Sequence, residues 1–233
     1  MIERRPRFRK RRDKKTAPLS EFEQPRKRQP FTAFLVEDDQ AVRSSLVAAL
    51  EERKIDVRDY MTAMEFYRDY REPVPGVLIL DLRLPGMSGA ELQDKLNEED
   101  FEMPIVMISG HADVPMAVRS IKNGAFDFLC KPIRIDDLVG AIERAYNFHY
   151  GLDGELEEEL EETEFSLNRL TDRERQVLEY VVDGLSSRKI AAELGISTKT
   201  VEAHRARIND KMRADDVSHL IRMCFTYNES QGS

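Results

Sequence analysis

The spacing of apolar and polar positions changes along the chain and divides it into segments. Residues 31–150 alternate short apolar runs with stretches that repeat at helical spacing. Residues 167–233 follow only the helical period. Residues 1–30 show no apolar period, and residues 151–166 are dominated by glutamate. The pattern therefore predicts a disordered arm, an α/β domain, an acidic linker and a small all-α domain.

Within residues 31–150, each apolar run is followed by an amphipathic stretch. The predicted strands are residues 31–36, 55–60, 77–80, 104–108 and 126–129. The predicted helices are residues 41–53, 63–70, 88–97, 114–123 and 136–150. Strands and helices that alternate with short joints favour a five-stranded, parallel, doubly wound α/β sheet.

The third run, Val77-Leu-Ile-Leu80, leads directly into Asp81, and Pro85-Gly86 follows soon after. An uninterrupted apolar run that ends at turn residues is typical of a strand buried on both faces. Open α/β sheets bind their ligands outside the carboxyl ends of the strands. We therefore expect the Asp81 carboxylate at the mouth of the sheet.

Two more acids, Glu37 and Asp38, follow the first predicted strand. Strands one and three are neighbours at the switch point of a doubly wound sheet, so these acids should lie beside Asp81. Three carboxylates held together raise one another's pKa. Mg²⁺ relieves that repulsion and keeps positions for phosphate oxygens. A carboxylate beside Mg²⁺ can accept a phosphoryl group as an acyl phosphate.

Ser109 and Lys131 end the fourth and fifth predicted strands, so both should face the same edge. The Lys131 ammonium can pair with a phosphoryl oxygen. Pro132 follows, and a cis bond there would aim the lysine side chain. Each residue alone has an ordinary explanation as a turn, cap or surface residue. Their combination favours a phosphoryl site.

Residues 31–150 resemble the receiver domain of two-component response regulators, and residues 111–118 and 124–129 resemble its FixJ class. The resemblance implies that Asp81 is the phospho-acceptor. The further roles that it implies are Mg²⁺ ligation by Glu37, Asp38, Asp81 and the Arg83 backbone carbonyl, phosphoryl contacts by Ser109 and Lys131, and an aromatic switch at Phe128.

Three positions qualify the resemblance. Glu37 stands where aspartate is more usual, which lengthens the reach of this ligand by one methylene. Phe128 has an ordinary core position as its alternative. Arg83 and His111 border the path of attacking water in the family, so we expect them to tune the phosphoryl lifetime.

The last segment predicts four helices. Thr171 and Glu174 form a capping-box pattern at the start of the first. The predicted helices run from this box to about residue 183, then over residues 186–194, 197–212 and 215–226. Leu194-Gly195-Ile196 joins the second and third helices, which predicts a helix-turn-helix.

At 100° per residue, Val201, Ile208 and Met212 fall on one buried stripe of the third helix. A small and polar opposite face suits the major groove of DNA. The residues predicted on that face are Lys199, Glu202, Ala203, Ala206 and Arg207. His204 and Arg205 flank the stripe and could reach phosphates, as could Arg188 and Lys189 of the preceding helix.

Thr198-x-Thr200-Val-x-x-His204 together with Leu170-Thr-x-Arg-Glu174 resembles the LuxR-type DNA-binding domain over residues 167–228. The resemblance implies DNA contacts at the positions just described and at Thr200. Three alternatives stay open. Arg205 could instead form an internal salt bridge with an acid such as Glu193, and Glu202 could read a cytosine amino group or repel wrong sites. The fourth helix serves for dimerisation in the family, or for plain packing.

Charge is distributed unevenly over the 233 residues, whose net charge is −8. Residues 1–30 carry +8, residues 31–150 carry −9, residues 151–165 carry −8 and residues 166–233 carry +1. DNA binding must therefore rest on a local surface of the last segment. The basic arm could contact phosphates non-specifically or be a solvated tail. The acidic segment carries a leucine every four residues, and a solvated linker is favoured over a coiled coil.

Two cysteines, no secretion signal and no long apolar run favour a cytoplasmic protein that does not enter a membrane. We expect a phosphorylation-switched transcription factor, not an enzyme, that acts with Mg²⁺. Its expected partners are a histidine kinase, promoter DNA, RNA polymerase and a second copy of the chain. A constitutive DNA-binding regulator is the alternative. A phosphohydrolase of the haloacid dehalogenase type would need an aspartate where Arg83 stands.

Overall fold

The computed structural model describes residues 31–70, 74–99, 101–110, 114–150, 155–214 and 216–231. The predicted basic arm, residues 1–30, lies outside these ranges, and so does His111. Within them, no helix is long and apolar enough to cross a bilayer.

Five parallel strands form a single sheet in the first domain. They are β1 (Thr32–Val36), β2 (Asp56–Tyr60), β3 (Gly76–Asp81), β4 (Ile105–Ser109) and β5 (Asp127–Cys130). The strand order is β2-β1-β3-β4-β5, which confirms the doubly wound sheet and the adjacency of its first and third strands. Every residue of β3 is buried, as the unbroken apolar run predicts. Val36 pairs with Leu80, so the chain segments after β1 and β3 emerge side by side.

Helices cover both faces of the sheet. They are α1 (Gln40–Glu52), α2 (Ala63–Asp69), α3 (Gly89–Glu98), α4 (Val114–Lys122) and α5 (Ile135–Tyr150). One core packs α1 and α5 against the sheet, with Leu50 and Ile142 fully buried. The other packs α2, α3 and α4, with Phe66 and Leu92 fully buried. The two cores cover the faces of the sheet, so the carboxyl ends of the strands are the part of the sheet where polar side chains can gather.

The second domain is all-α, as predicted. Its helices are α6 (Glu155–Asn168), α7 (Asp172–Val182), α8 (Ser187–Leu194), α9 (Thr198–Met212) and α10 (Val217–Gln231). The predicted capping box of Thr171 and Glu174 is present at the start of α7. A capping box of the same kind, Ser88 with Glu91, is present at the start of α3. These caps satisfy amide groups that the first helical turn leaves without partners.

The acidic segment differs from the solvated linker that we expected, because α6 occupies most of it. This helix packs against α9 and α10. Its buried positions include Thr163 and Ser166, which are 1% and 7% exposed. Hydroxyl side chains carry little hydrophobic signal, so the spacing of the leucines alone did not reveal this buried face.

Helix α10 contacts both domains. Leu220 and Cys224 pack in the core of the all-α domain. Ile221 is fully buried among the residues of the α2–α4 core of the first domain, and Phe225 packs there too. The Arg222 guanidinium lies 5.0 Å from the centroid of the Phe126 ring. The helix that we expected to serve packing or dimerisation therefore docks the all-α domain onto α4 and β5.

Candidate phosphoryl site and nucleic-acid interface

The three predicted acids meet at the carboxyl edge of the sheet. Carboxylate oxygens of Glu37, Asp38 and Asp81 all lie within 4.8 Å of one another. Glu37 is fully buried and Asp81 is 4% exposed, whereas Asp38 is open to solvent. The register of β1 against β3 produces this arrangement, because the two strands end at the same level. The site is thus closed at its floor and open on one side.

Lys131 extends into the acidic cluster from the end of β5. Its ammonium lies 2.5 Å from Glu37 Oε2 and 2.6 Å from Asp81 Oδ2. The Lys131 amide donates to the Ser109 carbonyl over 2.8 Å, which joins the ends of β4 and β5. The Lys131–Pro132 peptide bond is cis. Glu37, Asp38, Asp81 and Lys131 therefore converge on one edge, where the backbone of Ser109 also ends its strand.

Burial and the neighbouring charged groups shift the pKa values of Glu37 and Lys131. Burial raises the pKa of Glu37, and the negative charge of Asp81 adds to this, while the hydrogen bond from Lys131 opposes it. For Lys131, burial favours the neutral amine, but hydrogen bonds to Asp81 and Glu37 outweigh burial and raise its pKa. The lysine therefore stays cationic in this site.

The donors of this cluster fit a hard divalent cation. One ammonium faces three carboxylates, so negative charge is left in excess, and Asp38 provides an open side. The Arg83 amide donates to Asp81 Oδ1 over 2.9 Å, which places Arg83 at the rim. Oxygen ligands with room for water suit Mg²⁺. The residues that would hold it are Glu37, Asp38, Asp81 and the Arg83 carbonyl.

Ser109 and Phe128, the two other predicted residues, are both buried. Ser109 is fully buried at the end of β4. Phe128, three residues before Lys131, is 1% exposed and belongs to the core that also contains Val118 of α4 and Ile221 of α10. This position is compatible with a core role, and it puts Phe128 in the same core as Ile221 of the docked helix.

The predicted stripe of α9 is confirmed, since Val201, Ile208 and Met212 are its buried residues. Gly195 ends α8 in the left-handed conformation, with φ of 64°, and makes the turn between the two helices. Most of the predicted DNA contacts are exposed on the outer side. They are Arg188, Lys189, Lys199, Thr200, Glu202, Ala203, Ala206 and Arg207.

The two flanking residues, His204 and Arg205, are only half-exposed. Arg205 Nη1 donates to Ser187 Oγ over 2.8 Å and lies 3.9 Å from Glu202. The internal partners of Arg205 are therefore Ser187 and Glu202, instead of the Glu193 that we considered. This contact braces α9 against α8.

Sequence analysis missed several arginines that hold backbone carbonyls. Arg173 donates to the Leu194 carbonyl over 2.9 Å, which satisfies the end of α8. Arg43 donates to the Glu37 carbonyl over 2.7 Å, beside the acidic cluster. A carbonyl acceptor leaves no trace in the side-chain pattern, so spacing alone could not have identified these residues.

Comparisons with known proteins agree with both halves of this description. The family model of the response regulator receiver domain matches residues 33–143, and that of the bacterial regulatory proteins of the luxR family matches residues 168–224. The chain is 40% identical over 195 residues to response regulator protein TmoT of Ectopseudomonas mendocina, covering 84% of this chain and 88% of TmoT. It is 39% identical over 193 residues to transcriptional regulatory protein FixJ of Rhizobium meliloti, covering 83% of this chain and 94% of FixJ.

Solved structures give the same result. The response regulator StyR aligns with a TM-score of 0.50 and 37% identity, over 85% of this chain and all of StyR. Full-length FixJ from B. japonicum aligns with a TM-score of 0.50 and 33% identity, over 85% of this chain and 98% of that one. The chain therefore belongs to the two-component response regulators of the FixJ class, in which a receiver domain is joined to a LuxR-type DNA-binding domain. Its role is in transcription regulation.

Proposed function

We propose that the chain is a phosphorylation-dependent transcription regulator in which Asp81 receives a phosphoryl group from a histidine kinase. The observation that carries this proposal is the Lys131 ammonium that bridges Glu37 and Asp81 at the sheet edge. An ammonium and excess carboxylate charge in one open site suit the binding of a phosphoryl group together with Mg²⁺.

In the proposed step, an Asp81 carboxylate oxygen attacks the phosphorus of a phosphohistidine. The new O–P bond forms an acyl phosphate as the P–N bond breaks, and the imidazole leaves with that electron pair. Bound Mg²⁺ would neutralise charge on the phosphoryl oxygens. Lys131 then pairs with a phosphoryl oxygen instead of with Asp81, and the Ser109 hydroxyl contacts another.

The output follows from the docked helix. We infer that phosphorylation rearranges Ser109 and Phe128 and so loosens the contact of α10 with α4 and β5. Chains whose DNA-binding domain is released in this way then dimerise and bind promoter DNA. The bound dimer regulates transcription together with RNA polymerase. The support is that Phe128 and Ile221 share one core. A shift from about 1% to 99% of the active state needs roughly 5.5 kcal/mol of differential stabilisation. This is a large demand on one phosphoryl group, so we expect a partial switch.

Phosphoryl transfer can be tested with radiolabelled acetyl phosphate and Mg²⁺. We expect label on the wild-type protein that is labile to base, and none on an Asp81→Asn variant. Asp136→Asn is the control, because Asp136 is an exposed carboxylate outside the acidic cluster. Equal labelling of wild type and Asp81→Asn would contradict the proposed acceptor.

One observation favours the alternative of a constitutive DNA binder. The predicted DNA-contacting residues of α9 are exposed even though α10 is docked. Docking alone therefore does not cover the recognition helix. Affinity for promoter DNA that is identical with and without acetyl phosphate would support this alternative over the switch.

A further inference from the structure

Arg43 occupies an unusual place for a cation. It is the fourth residue of α1, and its amide donates to the carbonyl of Asp39, the N-cap. A positive charge at a helix N-terminus opposes the helix dipole. The Arg43 side chain is nevertheless 13% exposed and folds back over the loop that follows β1.

The bonds of Arg43 explain this position. Its Nη1 donates to the Glu37 carbonyl over 2.7 Å and to the Asp38 carbonyl over 3.3 Å. Its Nε donates to Asp59 Oδ2 over 3.1 Å. The guanidinium therefore ties the two residues of the acidic loop to β2 with the rigid fork that distinguishes arginine from lysine.

The same loop is fixed from two other sides. The Glu37 amide donates to the Tyr60 carbonyl over 3.1 Å. The Asp39 amide donates to Glu37 Oε1 over 3.2 Å. With the Arg43 bonds, both peptide planes beside the Cα atoms of Glu37 and Asp38 are held, so the direction of each side chain is set.

We propose that Arg43 is a positioning residue for the divalent cation, which it serves by holding the carbonyls of Glu37 and Asp38. This inference rests on the proposed function. Mg²⁺ demands near-octahedral geometry with metal–oxygen distances of about 2.0–2.1 Å. Glu37 carries one more rotatable bond than an aspartate, so a loosely held loop would spread its carboxylate over more positions.

Asp59 supports Arg43 from outside the site. It belongs to β2 and is not one of the three clustered acids. Its carboxylate, which is 48% exposed, orients the guanidinium and compensates its charge. Removing Asp59 should therefore loosen Arg43 without removing any ligand.

The test measures Mn²⁺ binding to the full chain by electron paramagnetic resonance of the free ion, with Mg²⁺ as competitor. Partners that orient metal ligands typically account for 10–100-fold in affinity. We expect Arg43→Met to weaken Mn²⁺ binding by about 10-fold and Arg43→Lys by nearly as much, because lysine keeps the charge but lacks the fork. Asp59→Asn should weaken it by a smaller factor.

Arg53→Met is the matched control. Arg53 follows the other end of α1 and also binds an aspartate, Asp136, over 2.8 Å, but both side chains are exposed. This variant should bind Mn²⁺ as wild type does. A second readout is phosphorylation by acetyl phosphate against Mg²⁺ concentration. For Arg43→Met, the Mg²⁺ concentration at half-maximal rate should rise about 10-fold while the rate at saturating Mg²⁺ recovers.

The outcomes are separable. The positioning role would be overturned if Arg43→Met or Arg43→Lys bound Mn²⁺ with wild-type affinity, or if Arg53→Met lost as much affinity as Arg43→Met. Labelling of Asp81 in the wild-type protein would leave the proposed function standing in either case. Should Arg43→Met fail to fold, Asp59→Asn decides the question through the same Mn²⁺ titration. Absence of labelling on wild-type Asp81 would instead overturn the proposed function, and the inference with it.

Discussion

Two buried glutamates, Glu37 and Glu174, each bind a lysine, yet their pKa values move in opposite directions. Glu37 shares Lys131 with a second carboxylate, and burial raises its pKa. Glu174 has Lys211 at 2.7 Å, and that hydrogen bond holds its pKa at about 2. At the residue scale, burial and the Asp81 charge outweigh the lysine at Glu37, whereas the lysine outweighs burial at Glu174.

Replacing Glu174 by glutamine should make stability less dependent on pH. The folded pKa of about 2 lies below the ordinary 4.5, so the stabilisation is complete above pH 4.5 and is lost as pH falls toward 2. We expect Glu174→Gln to lower the free energy of unfolding by about 2–3 kcal/mol at pH 7, and by less than half of that at pH 3. Urea unfolding followed by circular dichroism measures both values.

Glu162→Gln is the control for this prediction. Glu162 lies 3.9 Å from Arg213 in the same domain, but both side chains are about three-quarters exposed. An exposed pair contributes about 0–1 kcal/mol. An equal effect of Glu174→Gln at both pH values would show that the Lys211 bond is not the source of the stabilisation.

At the scale of elements, sequence patterns predicted what depends on periodicity. The unbroken run of β3 and the stripe of Val201, Ile208 and Met212 both reflect burial on a regular backbone, so the structure confirms them. Placement of Glu37 beside Asp81 followed from the strand order.

What the sequence could not supply depends on contacts between distant segments. Arg43 binds carbonyls, which carry no residue identity. The packing of α6 uses Thr163 and Ser166, whose hydroxyls give no hydrophobic signal. Ile221 fits the apolar spacing of its helix, but nothing in that spacing tells whether its neighbours belong to its own domain or to the receiver.

The exposed basic residues on the outer face of α9 lead to a prediction about the salt dependence of DNA binding. Lys199 and Arg207 are exposed on that face. If they contact phosphates, Lys199→Ala and Arg207→Ala should each weaken binding to any duplex and lower the slope of log affinity against log salt by about 1. Fluorescence anisotropy with a labelled duplex at several salt concentrations measures the slope.

Arg169→Ala is the control for the salt dependence. Lys211 donates to the Arg169 carbonyl over 3.2 Å, so Arg169 lies at the far end of α9 from its first turn. We expect the slope of log affinity against log salt for Arg169→Ala to match that of the wild-type protein. An unchanged slope in both α9 variants would show that this face does not contact phosphates.

At the scale of the whole molecule, α10 joins the two domains because it contributes buried side chains to the core of each. Helix α10 gives Leu220 to the DNA-binding core and Ile221 to the receiver core. Around it, Lys122 lies 3.9 Å from Asp183, and a Cβ at Gly184 would lie 3.3 Å from Val118 Cγ1. The exposed ion pair adds little stability, so apolar burial along α10 is the main contribution to the contact between the domains.

Neighbouring residues of α10 therefore allow docking and folding to be separated. Ile221→Ala removes apolar contact with the receiver and spares the DNA-binding core, so it should shift the chain toward the undocked form. We expect phosphate-independent DNA affinity to rise by about 30-fold, since a loss of about 2 kcal/mol of docking free energy is ordinary for this truncation and 1.4 kcal/mol is about tenfold. Leu220→Ala should instead lower DNA affinity, because it destabilises the core that supports α9. Small-angle X-ray scattering should show an increased radius of gyration for Ile221→Ala alone, and a DNA affinity unchanged by Ile221→Ala would mean that docking does not restrain the DNA-binding domain.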